Sequence, residues 1–186
     1  MTTLYHFSEE AGIERFVPRP VAVPAERPPG MEWLNGPLVW AVDEWHSPMY
    51  LFPRECPRIL IWRTGSTTAG DDERWFGHTA ARMIGYIEWA WFERLGATLV
   101  WRYQMPAETF ASLDDAGMWV SGEPVEPLAV DRLEGLPSAL AAADVELRIV
   151  PSLVPLGGLW ETTLHVSGIR LRNAAGWGRP SLAGGP

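Results

Sequence analysis

Apolar positions fall in short runs separated by polar or proline-rich stretches, and these runs set the expected elements. Leu4 to Phe7 is an apolar-aromatic run that predicts a first strand, closed at Ser8-Glu9-Glu10 and followed by a turn or short helical segment through Ile13 and Phe16. Prolines at 18, 20, 24, 28 and 29 then deny the chain both helical and ladder hydrogen bonds, so Val17 to Gly30 reads as an extended loop. Pro37 to Asp43 is nearly continuous in apolar, β-branched and aromatic residues, the composition of a central strand covered on both faces. A short helix is expected between Asp43 and Phe52, a third strand over Arg58 to Thr64, and a flexible Gly/Ser/Thr connection from Gly65 to Asp72.

Ala80, Met83, Ile84, Ile87, Trp91 and Leu95 recur at three- and four-residue spacing, which predicts one long helix ending at Gly96. Beyond it the pattern predicts a strand over Ala97 to Met105, a helical turn over Ala107 to Leu113, and strand segments at Met118 to Ser121 and Val125 to Val130. Leu136 to Ala143 is alanine-rich and reads as helix, whereas Val145 to Val150 and Thr163 to Arg172 alternate with period two and read as half-buried strands. In the second of these, Arg170 and Arg172 would share a face. Strands outnumber long helices, so the expected class is α+β with mixed or antiparallel sheets, in one globular domain over 1–173 with a flexible tail over 174–186.

Composition narrows the class further. At 186 residues, with 47% hydrophobic and 20% charged residues, the chain is long enough to bury roughly 70% of its unfolded surface. Cys56 is the one cysteine, which excludes an intrachain disulfide and a cysteine-rich metal site and fits a reducing, cytoplasmic setting. No window reaches the ~20 apolar residues of a membrane span. A net charge of −8 argues against a broad nucleic-acid footprint. All fifteen basic residues are arginine, so Schiff-base chemistry and a phosphate-loop lysine are excluded, while planar guanidinium forks are retained.

The polar residues beside aromatic strands carry the candidate chemistry: Tyr5-His6-Phe7-Ser8 in the first strand, and Val39-Trp40-Ala41-Val42-Asp43 running into Glu44-Trp45-His46-Ser47-Pro48-Met49-Tyr50. Together these segments resemble the opening of the ADP-ribosyltransferase-like fold. The resemblance implies a cleft for NAD or another ADP-containing nucleotide, with His6 on a ribose and Tyr50 stacked on the nicotinamide. The rest of the predicted nucleotide-binding set is Phe7, Ser8, Arg19, Trp40, His46, Ser47 and Arg54, where Arg19 and Arg54 suit phosphate. The same fold usually places a glutamate on a late strand, and Glu123 is the residue nearest that role here. The stretch Met118 to Val125 is also similar to the Trp-x-Thr/Ser ending of the RNA 2′-phosphotransferase branch, which lacks that glutamate. Over nearly its whole length the chain resembles a family of uncharacterised bacterial proteins, through Tyr5 to Ser8, Leu51 to Arg58 and Ser167 to Ala174.

Other chemistries find little support. Asp43, Glu44 and His46 at a strand end point in different directions and include no His-x-x-x-His pair, so no metal is expected. Ser8, Ser47 and Ser121 lack a nucleophile elbow, and Cys56 lacks a neighbouring base. Two alternatives to an NAD-using transferase stay open: a non-catalytic small-molecule-binding domain, and a homo-oligomeric interaction domain, for instance a homodimer joined through Trp89.

Overall fold

The computed structural model describes residues 2–178. In chain order the strands are β1 (Leu4–Ser8), β2 (Val39–Asp43), β3 (Arg58–Trp62), β4 (Met83–Glu88) and β5 (Val100–Met105). They continue with β6 (Ala111–Ser112), β7 (Met118–Ser121), β8 (Ala129–Leu133), β9 (Val145–Val150) and β10 (His165–Ile169). Three short α-helices accompany them: α1 (Ala69–Trp75), α2 (Phe92–Ala97) and α3 (Leu136–Ala142). The class is α+β, with two sheets and few helices.

The chain divides into two compact units, each built from two separated stretches: Met1–Leu51 with Leu99–Glu134, and Phe52–Thr98 with Gly135–Pro186. The first unit is an antiparallel six-stranded sheet of order β6-β7-β2-β1-β5-β8. Period-two alternation sorts its side chains onto two faces. Leu4, Val39, Ala41, Tyr103 and Met105 pack on one face with Phe16, Phe110 and Val125. Tyr5 and Phe7, which alternate with them in β1, lie on the opposite face. The proline-rich segment is extended, as expected, and docks by two isolated bridges, Phe16 to Val125 and Arg19 to Leu38.

The second unit is a four-stranded sheet of order β10-β3-β4-β9, antiparallel except for the parallel pair β4–β9. Ile59, Ile61, Ile84 and Tyr86 pack with Phe76, Leu153, Leu159 and Leu164. The long helix expected over 80–95 is not formed. Residues 83–88 are the fully buried strand β4, followed by a 3-10 turn over Trp89–Trp91 and the short α2. A continuous apolar run satisfies helical and strand periods alike. Gly85 weighs against the helix, where it would cost about 1 kcal/mol, while in the strand a Cβ would make only ordinary contacts, with Phe52 Cζ at 3.5 Å and Leu60 Cδ2 at 3.7 Å.

Smaller differences have local causes. The expected helix after Asp43 is a 3-10 turn over Ser47–Tyr50 with Pro48 in its first turn. No helical segment precedes Phe16: the Ile13 amide donates to the Tyr103 hydroxyl, which donates to the Glu10 carbonyl, and Phe16 itself bridges to Val125. Residues 111–112 form the edge strand β6 where a helical turn was expected, and β8 begins only at Ala129, past Pro124 and Pro127. The flexible connection from Gly65 is overtaken by α1, whose N-cap Thr68 accepts from the Asp71 amide at 3.3 Å. Strand β10 stops at Ile169, because Arg170 takes a left-handed φ of 55° and a 3-10 turn follows, so Arg170 and Arg172 do not alternate along a strand. Of the expected tail, residues 174–178 form turns with Ala174 buried and Trp177 against the core, while 179–186 lie outside the described residues.

Candidate binding cleft

Strands β1 and β2 pair at only two positions, Leu4 with Asp43 and Tyr5 with Val42, whereas β1 stays paired with β5 along its full length. Continued, the register would set His6 opposite Ala41 and Phe7 opposite Trp40. Instead the strands part, and the His6 side chain spans the fork. Its Nδ1 lies 2.7 Å from the carbonyl oxygen of Trp40. A carbonyl only accepts, so Nδ1 carries the proton and donates, which fixes the ring orientation and makes Nε2 the acceptor nitrogen of the neutral imidazole. Phe16 packs on the same ring, with centroids 4.6 Å apart.

A cleft of about 280 Å³, open to solvent, lies at this fork. It is lined by Tyr5, His6 and Phe7 from β1, Trp40, Ala41 and Val42 from β2, and Tyr50 and Met118 beside them. Phe7 and Tyr50 stand nearly parallel, 18° between planes and 6.0 Å between centroids. Tyr50 reaches this position because the 3-10 turn after β2 carries it back, and its hydroxyl donates to Met118 Sδ at 3.3 Å. Met118 is placed by the β2–β7 register, opposite Val42. Tyr5 carries the guanidinium of Arg102 4.7 Å over its ring, and that cation is already bound to Asp131.

One polar atom of the lining lacks a partner. The Nε1–H of Trp40 is shielded from solvent and finds no acceptor among the described residues, as is also true of Trp75 in the second unit. A buried donor left unmet costs about 1–3 kcal/mol, and, being shielded, it would meet a ligand only after the indole shifts.

Of the residues singled out from sequence, His6, Phe7, Trp40 and Tyr50 come together in the cleft lining, and the rest do not line it. Ser8 is buried and accepts from the Glu10 amide at 3.1 Å. Ser47 is buried at the start of the 3-10 turn. Arg19 is exposed, its backbone paired with Leu38. His46 is gripped by Asp43, whose Oδ1 accepts from both the His46 amide and Nδ1 at 2.8 Å. Gly117, at φ +66°, passes so close to this pair that a Cβ would sit 2.6 Å from Asp43 Oδ2. Glu123 stands in the turn after β7, its amide donating to Ser121 Oγ at 3.1 Å. Arg54 belongs to the second unit. Among the described residues no group of three or more His, Cys, Asp or Glu side chains has an arrangement that could hold a metal ion.

The sequence reading missed Tyr5, Ala41, Val42 and Met118. Tyr5 was accessible, since it shares a strand face with Phe7 two residues on. Met118 was not, because only the β2–β7 register brings it to the cleft. In the second unit, two stretches that belong to the likeness to an uncharacterised family, the part of Leu51–Arg58 from Phe52 on and Ser167–Ala174, meet at Glu55. Its carboxylate contacts Arg170 at 3.3 Å and Arg172 at 3.0 Å, and Asn173 Nδ2 donates to it at 3.0 Å. The Asn173 hydrogen bond and then the nearby arginines, against a raising effect of burial, hold this carboxyl below its ordinary range. No helix among the described residues is long and apolar enough to cross a membrane.

A family model described as a family of unknown function (DUF6886) matches residues 5–174. That match agrees with the expected likeness to an uncharacterised family. No curated protein matches the chain, and no solved structure does.

Proposed function

We propose a function from the cleft itself, because the chain belongs to DUF6886, a family of unknown function. The cleft binds the planar base of a nucleotide, either NAD or another ADP-containing nucleotide, against the aromatic pair Phe7 and Tyr50. The observation that carries this reading is the near-parallel pair set in the fork, with the unmet Trp40 donor beside it. Aromatic faces hold bases through stacking worth about 1–3 kcal/mol per base. Two such contacts at roughly 3.5 Å each need about 7 Å, and the gap between the rings is at most their 6.0 Å centroid separation, so a base entering between them widens the pair by at least about 1 Å. A ring lying on one face of the pair needs no such opening.

The cleft is small and open to solvent, so it suits a single ring, with the attached sugar at its mouth. The remainder of a dinucleotide would extend outside it. In this reading His6 supports the site by fixing the Trp40 backbone. The reading is one of binding. The lining contains no carboxylate and Glu123 is not part of it, so a transfer step is left out.

Calorimetric titration with NAD, ADP and ADP-ribose tests the proposal, run on the wild-type chain and on Tyr50→Leu. Saturable binding to at least one of them, weakened about 5- to 100-fold in the variant, supports it. Absence of saturable binding to all three by the folded wild-type protein sinks it.

A second reading rests on a separate observation in the second unit. Trp89 is 59% exposed and meets Phe92, 39% exposed, edge to face at 6.1 Å. This aromatic surface favours self-association. Light scattering across a concentration series checks it, and a mass independent of concentration in both wild type and Trp89→Ser would remove it.

A further inference from the structure

A nucleotide carries phosphate, yet no arginine lines the cleft. A cation held beside it comes from the proline-rich segment. Asn35 shapes that segment: its Oδ1 accepts from the Ala25 amide at 3.2 Å, its Nδ2 donates to the Ala25 carbonyl at 2.9 Å, and its backbone carbonyl accepts from the Val21 amide. Prolines 24, 28 and 29 restrict the backbone on either side, so little conformational freedom remains to be lost there. Arg27, half-buried in this segment, donates from Nε to the same Asn35 oxygen at 3.4 Å. Its guanidinium carbon stands 5.8 Å from the centre of the Trp40 ring, a cleft-lining residue.

Arg27 differs from the other arginines that show no carboxylate partner, such as Arg15, Arg19, Arg74 and Arg94, in standing over a cleft-lining ring. Arg63, Arg102, Arg132, Arg148, Arg170 and Arg172 each pair with a carboxylate. Among the described residues Arg27 pairs with none, although the chain carries eight more acidic than basic residues. Its contacts are the long hydrogen bond to Asn35 and the distant indole face, both weak, which leaves its two terminal nitrogens as donors for an anion.

We infer that Arg27 binds the phosphate of the nucleotide whose base occupies the cleft, with Asn35 as its positioning residue. This inference rests on the nucleotide reading. It makes the ligand class a phosphorylated nucleoside, with the bare nucleoside bound more weakly.

Adenosine and ADP separate the two ideas when each is titrated into wild type, Arg27→Gln, Arg27→Lys and Asn35→Ala, with circular dichroism confirming the fold of each variant. Wild type is expected to bind ADP about 10- to 100-fold more tightly than adenosine, and added salt to weaken ADP alone. Arg27→Gln brings ADP down to the level of adenosine and leaves adenosine unchanged. Arg27→Lys, a point charge without the planar fork, retains part of the preference, and Asn35→Ala lowers ADP binding without touching adenosine. If wild type binds both ligands and Arg27→Gln weakens neither, or weakens both equally, the role of Arg27 is overturned and the base site stands. If folded wild type binds neither, both readings fall together.

Discussion

His6 donates to the backbone carbonyl of Trp40 at 2.7 Å, at the place where β1 and β2 cease to pair. A side chain thus replaces a rung of the ladder and keeps the fork from closing or gaping. His6→Phe retains a ring to pack on Phe16 but removes the donor, leaving that carbonyl unmet. A loss of about 1–3 kcal/mol is expected, read as a lower urea midpoint with an unchanged slope. An unshifted midpoint would show that water serves the carbonyl equally well.

Gly117 has no room for a side chain. Its left-handed φ of +66° disfavours other residues, and a Cβ would press on both Asp43 and His46. Gly117→Ala is expected to cost about 1–3 kcal/mol. Adding His46→Ala makes space, so the double variant should lose less than the sum of the two single losses in thermal denaturation. Strict additivity would mean that the contact relaxes elsewhere.

Cys56 is fully buried, and burial pushes its thiol up to about 12. The nucleophilic thiolate is therefore scarce at pH 8 in the folded chain. Labelling with a thiol-specific chromogenic disulfide should be slow in buffer and fast above the urea midpoint. Rapid labelling of the native protein would contradict the burial.

Glu55 links acidity to stability in the second unit. Its folded-state carboxyl is held below the ordinary value of about 4.3, so its contribution is complete above that value and fades as pH falls through the lowered one. The gap in urea midpoint between wild type and Glu55→Gln should be present at pH 7 and shrink towards pH 3. The group is substantially exposed, so the gap is modest at any pH and narrows in high salt. A gap that widened on acidification would reverse the assignment.

Local chemistry was readable from sequence where one short segment settles it. Leu4 to Ser8, Val39 to Asp43 and Val145 to Val150 read as strands because composition and period agreed over five or six residues. Met83 to Glu88 misled because all six residues are buried, and a segment enclosed on every side loses the polar alternation that marks a strand. The cleft was partly legible for the same reason: His6 and Phe7 are adjacent, and Trp40 and Tyr50 lie on neighbouring elements. Met118 and Arg27 arrive through a sheet register and an Asn35-pinned loop, relations that no local pattern encodes. Arg54, near Tyr50 in sequence, falls in the other unit because the chain crosses between units after Leu51.

The interleaving of the two units also governs the order in which the chain can take shape during synthesis. Strand β1 pairs along its length with β5, so that Leu4 meets Met105, and β3 waits for β10 in the same way. With elongation at roughly 5–20 residues per second, an emerging β1 stays without β5 for roughly 5–20 s. Through that interval Tyr5 and Phe7 remain uncovered on the nascent chain. Such a polypeptide has reason to engage a holding chaperone, and because the two units alternate twice along the chain, relocating its ends alone would not make both contiguous.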